Sequence, residues 1–150
     1  AEQIPVFYSG NMSLGIAVLC RLAKQAAAYF PDADIEIVEI HHTRKVDAPS
    51  GTALMLADAI REVREESEYV YDRHSVRKAR ESKEIGIHSV RGGTIVGEHE
   101  AIFAGENEIV TISHSAASRE IFATGAIRAA IYLSNKTVGT YNMTDMIEGR

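Results

Sequence analysis

Residues 34–41, DIEIVEIH, constrain the fold more than any other stretch of this chain. Charged and β-branched residues alternate there with period two, which is the signature of a strand. The strand runs straight into a loop, HHTRKVDAPSGTA at 41–53, and a helix is expected from about Ser50 to Glu66. Ala53, Leu56, Ala57, Ile60 and Val63 recur at helical spacing and make the apolar face of that helix.

The other elements are read around this strand and helix. Residues 4–8 form a short apolar strand ended by Ser9 and Gly10. Asn11 is placed as N-cap of a helix over residues 12–30, which is apolar nearly all round and therefore mostly buried, and which Pro31 and Asp32 stop. Residues 67–83 are charged and poor in apolar side chains, the composition of a mobile excursion. Strands follow at about 84–91, 94–103 and 108–114, with Gly92-Gly93 as a two-residue hairpin and Gly105-Glu106-Asn107 closing a second. Ser118 caps a last helix at 119–134, whose inner face carries Phe122, Gly125, Ala126, Ala129 and Leu133. The expected class is α+β: a mixed, mainly antiparallel four-stranded sheet covered by helices.

Composition narrows the function. A chain of 150 residues, 45% hydrophobic and 25% charged, can bury one real core. Its pI near 5.7 and net charge of -5 argue against a general nucleic-acid binder. The single cysteine, Cys20, excludes a disulfide framework and a cysteine-based zinc site, and suits a reducing compartment. The longest apolar stretch, residues 14–22, is too short to span a bilayer, and no signal peptide is read. Both termini read as cut edges: the chain opens on a strand, and residues 147–150, IEGR, match a protease-tag sequence. A fragment of a longer protein is the expectation.

Against this acidic background the 41–53 loop is conspicuously positive. Ser50-Gly51-Thr52 sits where the loop becomes a helix N-terminus, whose unpaired N–H groups and partial positive charge hold carboxylates and phosphates. Gly51 allows close backbone approach, Ser50 and Thr52 add hydroxyl donors, and Lys45 can reach the same spot as a point charge. The plain alternative is that Ser50 only caps the helix. No Walker phosphate loop is present, because the lysine precedes Ser50 by five residues instead of standing beside it. His41 and His42 close the strand; alternation sends them to opposite faces unless the strand ends at His41. Without a cysteine partner they make a weak metal site, so no metal is expected. An imidazole is nonetheless the natural proton shuttle near neutral pH, and Arg44 and Lys45 favour its neutral form. His74, His88, His99 and His114 read as isolated, structural or surface residues. On residues alone, the loop is an anion-binding segment with a candidate acid–base histidine.

The string HHTRKVDAPSGTA at 41–53 closely resembles the signature of the 4-hydroxy-tetrahydrodipicolinate reductase (dihydrodipicolinate reductase) family, whose pattern reads E-x-H-H-x-x-K-x-D-x-P-S-G-T-A. SGNMSLGI at 9–16, VRGGTIVGEHEAIFAG at 90–105 and ISHSAASREIFATGAIRAAIYL at 112–133 are similar to the same family in the same order, so the likeness spans about residues 4–145. The family begins with a Rossmann domain carrying a Gly-rich first turn, and nothing here reads as strand–GxxGxxG–helix. The resemblance therefore implies one substrate-binding and oligomerisation domain over 1–150. Its edges, about 1–11 and 137–150, would belong to the connection with an N-terminal dinucleotide-binding domain. It implies reduction of the cyclic dicarboxylate 4-hydroxy-tetrahydrodipicolinate to tetrahydrodipicolinate, in diaminopimelate and lysine biosynthesis, with NADPH or NADH as hydride donor. By position His41 matches the general acid and Lys45 its catalytic partner. His42, Lys45, Ser50, Gly51 and Thr52 match residues that hold the substrate carboxylates; Asn11, Met12, Arg119 and Phe122 match positions near the cofactor. A cytoplasmic homotetramer built through the sheet is implied, with no nucleic-acid or membrane partner. The strands at 84–114 fit this, carrying β-branched residues on both faces (TIV, EIVTI). The rival reading is a non-catalytic anion-binding or assembly module that kept the fold.

Overall fold

The expected central strand forms as β2 (Asp34–His41), and its burial alternates strictly along all eight residues. The structure, a computed structural model, describes residues 2–150. The remaining elements are β1 (Pro5–Phe7), α1 (Leu14–Tyr29), α2 (Gly51–Arg61), β3 (Glu68–Val70), β4 (Glu84–Arg91), β5 (Gly97–Ala104), β6 (Ile109–Ala116), α3 (Glu120–Leu133), β7 (Gly139–Tyr141) and α4 (Met143–Glu148). They fall into two compact units, Leu19–Ala117 and the chain up to Val18 together with Ser118–Arg150.

The larger unit is built on a mixed sheet of order β3-β4-β2-β5-β6. β2 pairs parallel with β4 and antiparallel with β5; β5 pairs antiparallel with β6, and the short β3 pairs parallel with β4. One face carries Ile35 and Ile37 of β2, Ile85 and Ile87 of β4, and Ala101 and Phe103 of β5, all buried. Fully burying each of the large apolar side chains is worth roughly 1.5–3 kcal/mol. α2 packs on β2 and β5, burying Ala53, Leu56, Ala57 and Ile60. In α1 a stripe of Ile16, Leu19, Ala23, Ala26 and Ala27 is buried, whereas Val18 and Leu22 are exposed, so this helix has one buried face and is not enclosed all round.

Several expectations are corrected. The sheet has five strands, because the segment read as mobile contains β3 and is pinned by charge. Arg80 donates to Asp34 Oδ1 (2.6 Å), Glu36 Oε1 (3.1 Å) and the Ile35 and Glu84 carbonyls (3.1 and 2.5 Å). Arg73 bridges Glu36 (2.7 Å) and Glu84 (2.5 Å). Gly92-Gly93 is not a hairpin turn: β2 lies between β4 and β5, and the glycines carry the chain past its end. There Gly92 N–H donates to the His41 carbonyl (2.9 Å) and Thr43 N–H to that of Gly93 (3.2 Å). The 105–108 turn does join β5 to β6, with Gly105 N–H on the Glu108 carbonyl (2.9 Å). α2 ends at Arg61, earlier than expected, and Val63 is exposed beyond it.

In the smaller unit β1 and β7 form a two-stranded parallel sheet, Val6 opposite Thr140. Phe7, Tyr132 and Tyr141 stack edge-to-face at centroid distances of 6.2 and 5.9 Å. Ser13, not Asn11, caps α1: its Oγ accepts from Ile16 N–H (3.3 Å) and its carbonyl from Ala17 N–H (3.1 Å), while Asn11 Oδ1 accepts from Ser13 N–H one step upstream (2.8 Å). α3 buries Gly125 and Ala129, but Phe122 is 38% exposed, not on the inner face. β7 and α4 were not expected; α4 starts from a capping box between Asn142 and Asp145.

Candidate active site

The buried face of β2 changes character along its length. After Ile35 and Ile37 it continues into Glu39 and His41, so a carboxylate is fully buried where the strand ends. A buried charge must be paired. Arg91, on the adjacent β4, grips both Glu39 oxygens (2.8 and 2.7 Å). His41 Nδ1 lies 2.5 Å from Glu39 Oε2, and Ser50 N–H donates to Oε1 (3.1 Å). Burial alone pushes this carboxyl up, but Arg91, Ser89, His41 and Ser50 together outweigh it and hold it at about 2. The same guanidinium donates to the Asp47 carbonyl (2.7 Å), which ties the loop to the sheet.

With Nδ1 taken by a carboxylate, His41 turns Nε2 toward β5. A Cβ on Gly97 would stand 3.0 Å from that nitrogen, so a glycine here is what leaves it room. The next inward residue of β5, His99, lies opposite Glu39 in the register, with its ring edge-to-face to His41 at 5.1 Å. His99 Nε2 is 3.0 Å from Ser50 Oγ, which also accepts Ala53 N–H (3.1 Å) as the N-cap of α2. Burial first, then the neighbouring His41, pushes the His99 imidazole down to about 4, so it is neutral at physiological pH. His114, opposite His99 on β6, is shifted down by burial too.

The loop candidates are distributed around this cluster. Ser50 is buried and Thr52 half-buried, while Gly51 is exposed. A Cβ on Gly51 would meet no described atom within 4 Å, so the first turn of α2 is open to an approaching group. Lys45 Nζ pairs with Asp47 Oδ2 (2.8 Å) and keeps that carboxyl below its ordinary range. His42 is half-buried at the end of β2, and its carbonyl accepts Lys45 N–H (3.1 Å). In the smaller unit, Asn11 and Met12 sit in the loop before α1, Arg119 is the N-cap residue of α3, and Phe122 lies in its first turn. Gly125 brings α3 against that loop: a Cβ there would lie 1.7 Å from the Met12 carbonyl oxygen. Among the described residues no group of three His, Cys, Asp or Glu is placed to hold a metal ion. Among the described residues no helix is long and apolar enough to cross a membrane.

Three members of the cluster escape a reading of the sequence: Glu39, Arg91 and His99, the last of which reads there as isolated. The signal for Glu39 is present, since a residue two before His41 on a strand shares its face. Arg91 and His99 reach the site only through strand pairing across long sequence gaps.

The family model described as "Dihydrodipicolinate reductase, C-terminus" matches residues 15–147. The chain belongs to this family. A 4-hydroxy-tetrahydrodipicolinate reductase of Caldanaerobacter subterraneus subsp. tengcongensis is 58% identical over 149 residues, covering 99% of this chain and 59% of that protein. Its counterpart in Staphylococcus epidermidis is 50% identical, covering 97% of this chain and 61% of that protein. The chain thus spans about three fifths of the length of these curated relatives. Among solved structures, a dipicolinate-bound dihydrodipicolinate reductase from Paenisporosarcina sp. TG-14 superposes with a TM-score of 0.74 at 31% identity, covering 93% of this chain and 54% of the other. The α+β class expected from the sequence agrees with that fold.

Proposed function

We propose that this chain is the substrate-binding and oligomerisation part of a cytoplasmic reductase that converts 4-hydroxy-tetrahydrodipicolinate to tetrahydrodipicolinate, for diaminopimelate and lysine biosynthesis. The observation that carries the reading is a carboxylate-oriented histidine, His41 on Glu39, beside the open first turn of α2. The Paenisporosarcina reductase is a complex with dipicolinate, which supports a planar dicarboxylate as the ligand class.

The chain's own groups divide the work. The first-turn N–H groups of Gly51 and Thr52, with the Ser50 hydroxyl, hold one substrate carboxylate, and the α2 dipole favours its charge. His42 and Lys45 supply further donors, Lys45 exchanging Asp47 for the ligand. His41 delivers a proton from Nε2 while Glu39 stabilises the ring through Nδ1. Arg91 keeps Glu39 ionised and fixed, so that the ring does not swing. When bound, NADPH or NADH would supply the hydride to carbon; with the proton added as well, the conversion balances by loss of the substrate's 4-hydroxyl as one molecule of water. In the smaller unit the half-exposed Phe122 ring and the Arg119 cation, three residues apart, suit a ring and a phosphate, and with Asn11 and Met12 they would contribute to holding that cofactor. The main dinucleotide-binding domain is assigned to a part of the protein outside this chain, with residues 1–11 and 137–150 in the connection to it.

The test is turnover by the complete protein with this substrate and a reduced nicotinamide. His41→Gln lowers kcat with little change in KM. Lys45→Ala worsens both, and His42→Gln raises KM more than it lowers kcat. If His41→Gln keeps kcat within about threefold, under about 1 kcal/mol of barrier, the acid role is wrong. Absence of turnover in the unaltered protein rejects the reading as a whole. The sheet face opposite α2, with Val38, Ile40 and Ile102 half-buried and Val90 exposed, supports assembly through the sheet. Light scattering should give a tetramer at micromolar concentration; a monomer would remove that part of the proposal.

A further inference from the structure

We infer that His99 is a positioning residue that fixes the direction of the Ser50 hydroxyl, so that Ser50 meets a ligand at the α2 N-terminus as a hydrogen-bond donor only. The inference rests on the reading that this turn receives a carboxylate, and it adds a residue to that site.

A serine hydroxyl has one hydrogen and two lone pairs. In Ser50 one lone pair accepts Ala53 N–H at 3.1 Å. The second contact, 3.0 Å to His99 Nε2, can run either way. If the hydroxyl donates to Nε2, its hydrogen is spent inside the protein and nothing is left to offer a ligand. If Nε2–H donates to Oγ, both lone pairs are filled and the hydroxyl hydrogen must point outward.

The surroundings of the ring decide between these. His99 is only 3% exposed, and burial with the neighbouring His41 keeps it neutral, so it carries a single N–H. Its other nitrogen, Nδ1, is buried and has no hydrogen-bond partner among the described residues. Placing the proton on Nδ1 would bury a donor with nothing to receive it, while leaving Nε2 to accept from Ser50. Placing it on Nε2 leaves only a bare lone pair at Nδ1, the cheaper of the two defects. The proton therefore sits on Nε2 and is donated to Ser50.

The backbone of Ser50 points to the same outcome. Its N–H is committed to Glu39 Oε1 at 3.1 Å, and its carbonyl accepts Leu54 N–H at 3.1 Å as the first bond of α2. Of the polar groups of Ser50, only the hydroxyl hydrogen is left to face a ligand. A turn that offers donors alone favours an ionised carboxylate over a carboxamide or a hydroxyl, so His99 acts as a specificity element for charge state.

The experiment uses the complete protein and pyridine-2,6-dicarboxylate as probe. Two-bond 1H–15N correlation of the histidine rings should show His99 neutral and protonated at Nε2 near neutral pH. Calorimetric affinity for the probe should fall about tenfold in His99→Met. It should stay within about threefold of the original in His99→Gln, whose amide N–H can replace the Nε2 donor. Ser50→Ala should cost a similar factor, and adding His99→Met to it should cost less than about twofold more, since the two residues act as one unit. An Nδ1–H tautomer in the unaltered protein overturns the inference, even if no variant folds. Full additivity of the two substitutions overturns it as well. Failure of the unaltered protein to bind the probe would instead reject the carboxylate-site reading, and the tautomer measurement tells the two failures apart.

Discussion

Replacing Arg91 by methionine removes the guanidinium from a carboxylate that has no exposure of its own. Glu39 would keep the His41 ring and the Ser50 N–H but lose two charge-assisted bonds at 2.8 and 2.7 Å. Breaking a buried ion pair by deleting one partner costs about 3–5 kcal/mol. A second route gives the same order: a carboxyl brought from 4.5 to about 2 is worth about 3 kcal/mol of folding free energy at neutral pH. The sign follows from the depressed value. The stabilisation is present above the unfolded value of about 4.5 and fades as pH falls toward 2. In Arg91→Met the carboxyl moves up, so in mild acid it takes a proton and ceases to be a buried unpaired charge. Urea unfolding followed by circular dichroism should therefore show a loss of about 3 kcal/mol near pH 7 that shrinks clearly near pH 4. The double variant Glu39→Gln/Arg91→Met should lose less than Arg91→Met alone. A loss below about 1 kcal/mol at pH 7, or an equal loss at both pH values, would refute the argument that Arg91 is what permits Glu39 to be buried.

Three further outcomes follow from other parts of the molecule. His99, held at about 4, refuses a proton that the unfolded chain accepts below about 6.5, so stability should drop by about 3 kcal/mol between those values, and His99→Gln should flatten that part of the urea-stability profile. Gly125→Ala gains about 1 kcal/mol of helix propensity but drives a methyl into the Met12 carbonyl oxygen, so thermal unfolding should show a net loss of about 2 kcal/mol, and a stabilised variant would contradict the close approach. Arg80→Ala should make residues 71–83 several-fold more sensitive to limited proteolysis at unchanged overall fold, because the anchor to Asp34 and Glu36 is gone; an unchanged cleavage rate would mean the segment is held by other means.

What could be read from the chain alone follows physical lines. β2 was legible to the residue, because one face of it meets a core and burial imposes period two. α2 and its Ser50 cap were legible for the same reason in helical form, although α2 stops at Arg61. Sheet order was not: Gly92-Gly93 has the composition of a hairpin, and nothing local reveals that β2 is inserted between the two strands it connects. The charged 67–83 segment looked solvated because its partners, Asp34 and Glu36, are more than thirty residues away in sequence. The site divides in the same way. His41, Lys45 and the Ser50-Gly51-Thr52 turn lie in one continuous string. Arg91 and His99 are supplied by neighbouring strands, so pairing alone brings them to Glu39 and Ser50. A histidine that looks isolated along the chain is in fact buried in the cluster, 3.0 Å from the Ser50 hydroxyl and edge-to-face with His41.

The central claim is that the turn at residues 50–53 is a carboxylate site with His41 at its side. Titration of the protein with pyridine-2,6-dicarboxylate, followed by amide chemical shifts, tests it most directly. Saturable shifts are expected at Gly51, Thr52 and Ala53, with His41 and His42 following. Affinity should fall as salt is raised, because the attraction is electrostatic at an open turn. Shifts that saturate elsewhere while residues 50–53 stay unmoved would contradict it, and would leave Ser50 as a helix cap and nothing more.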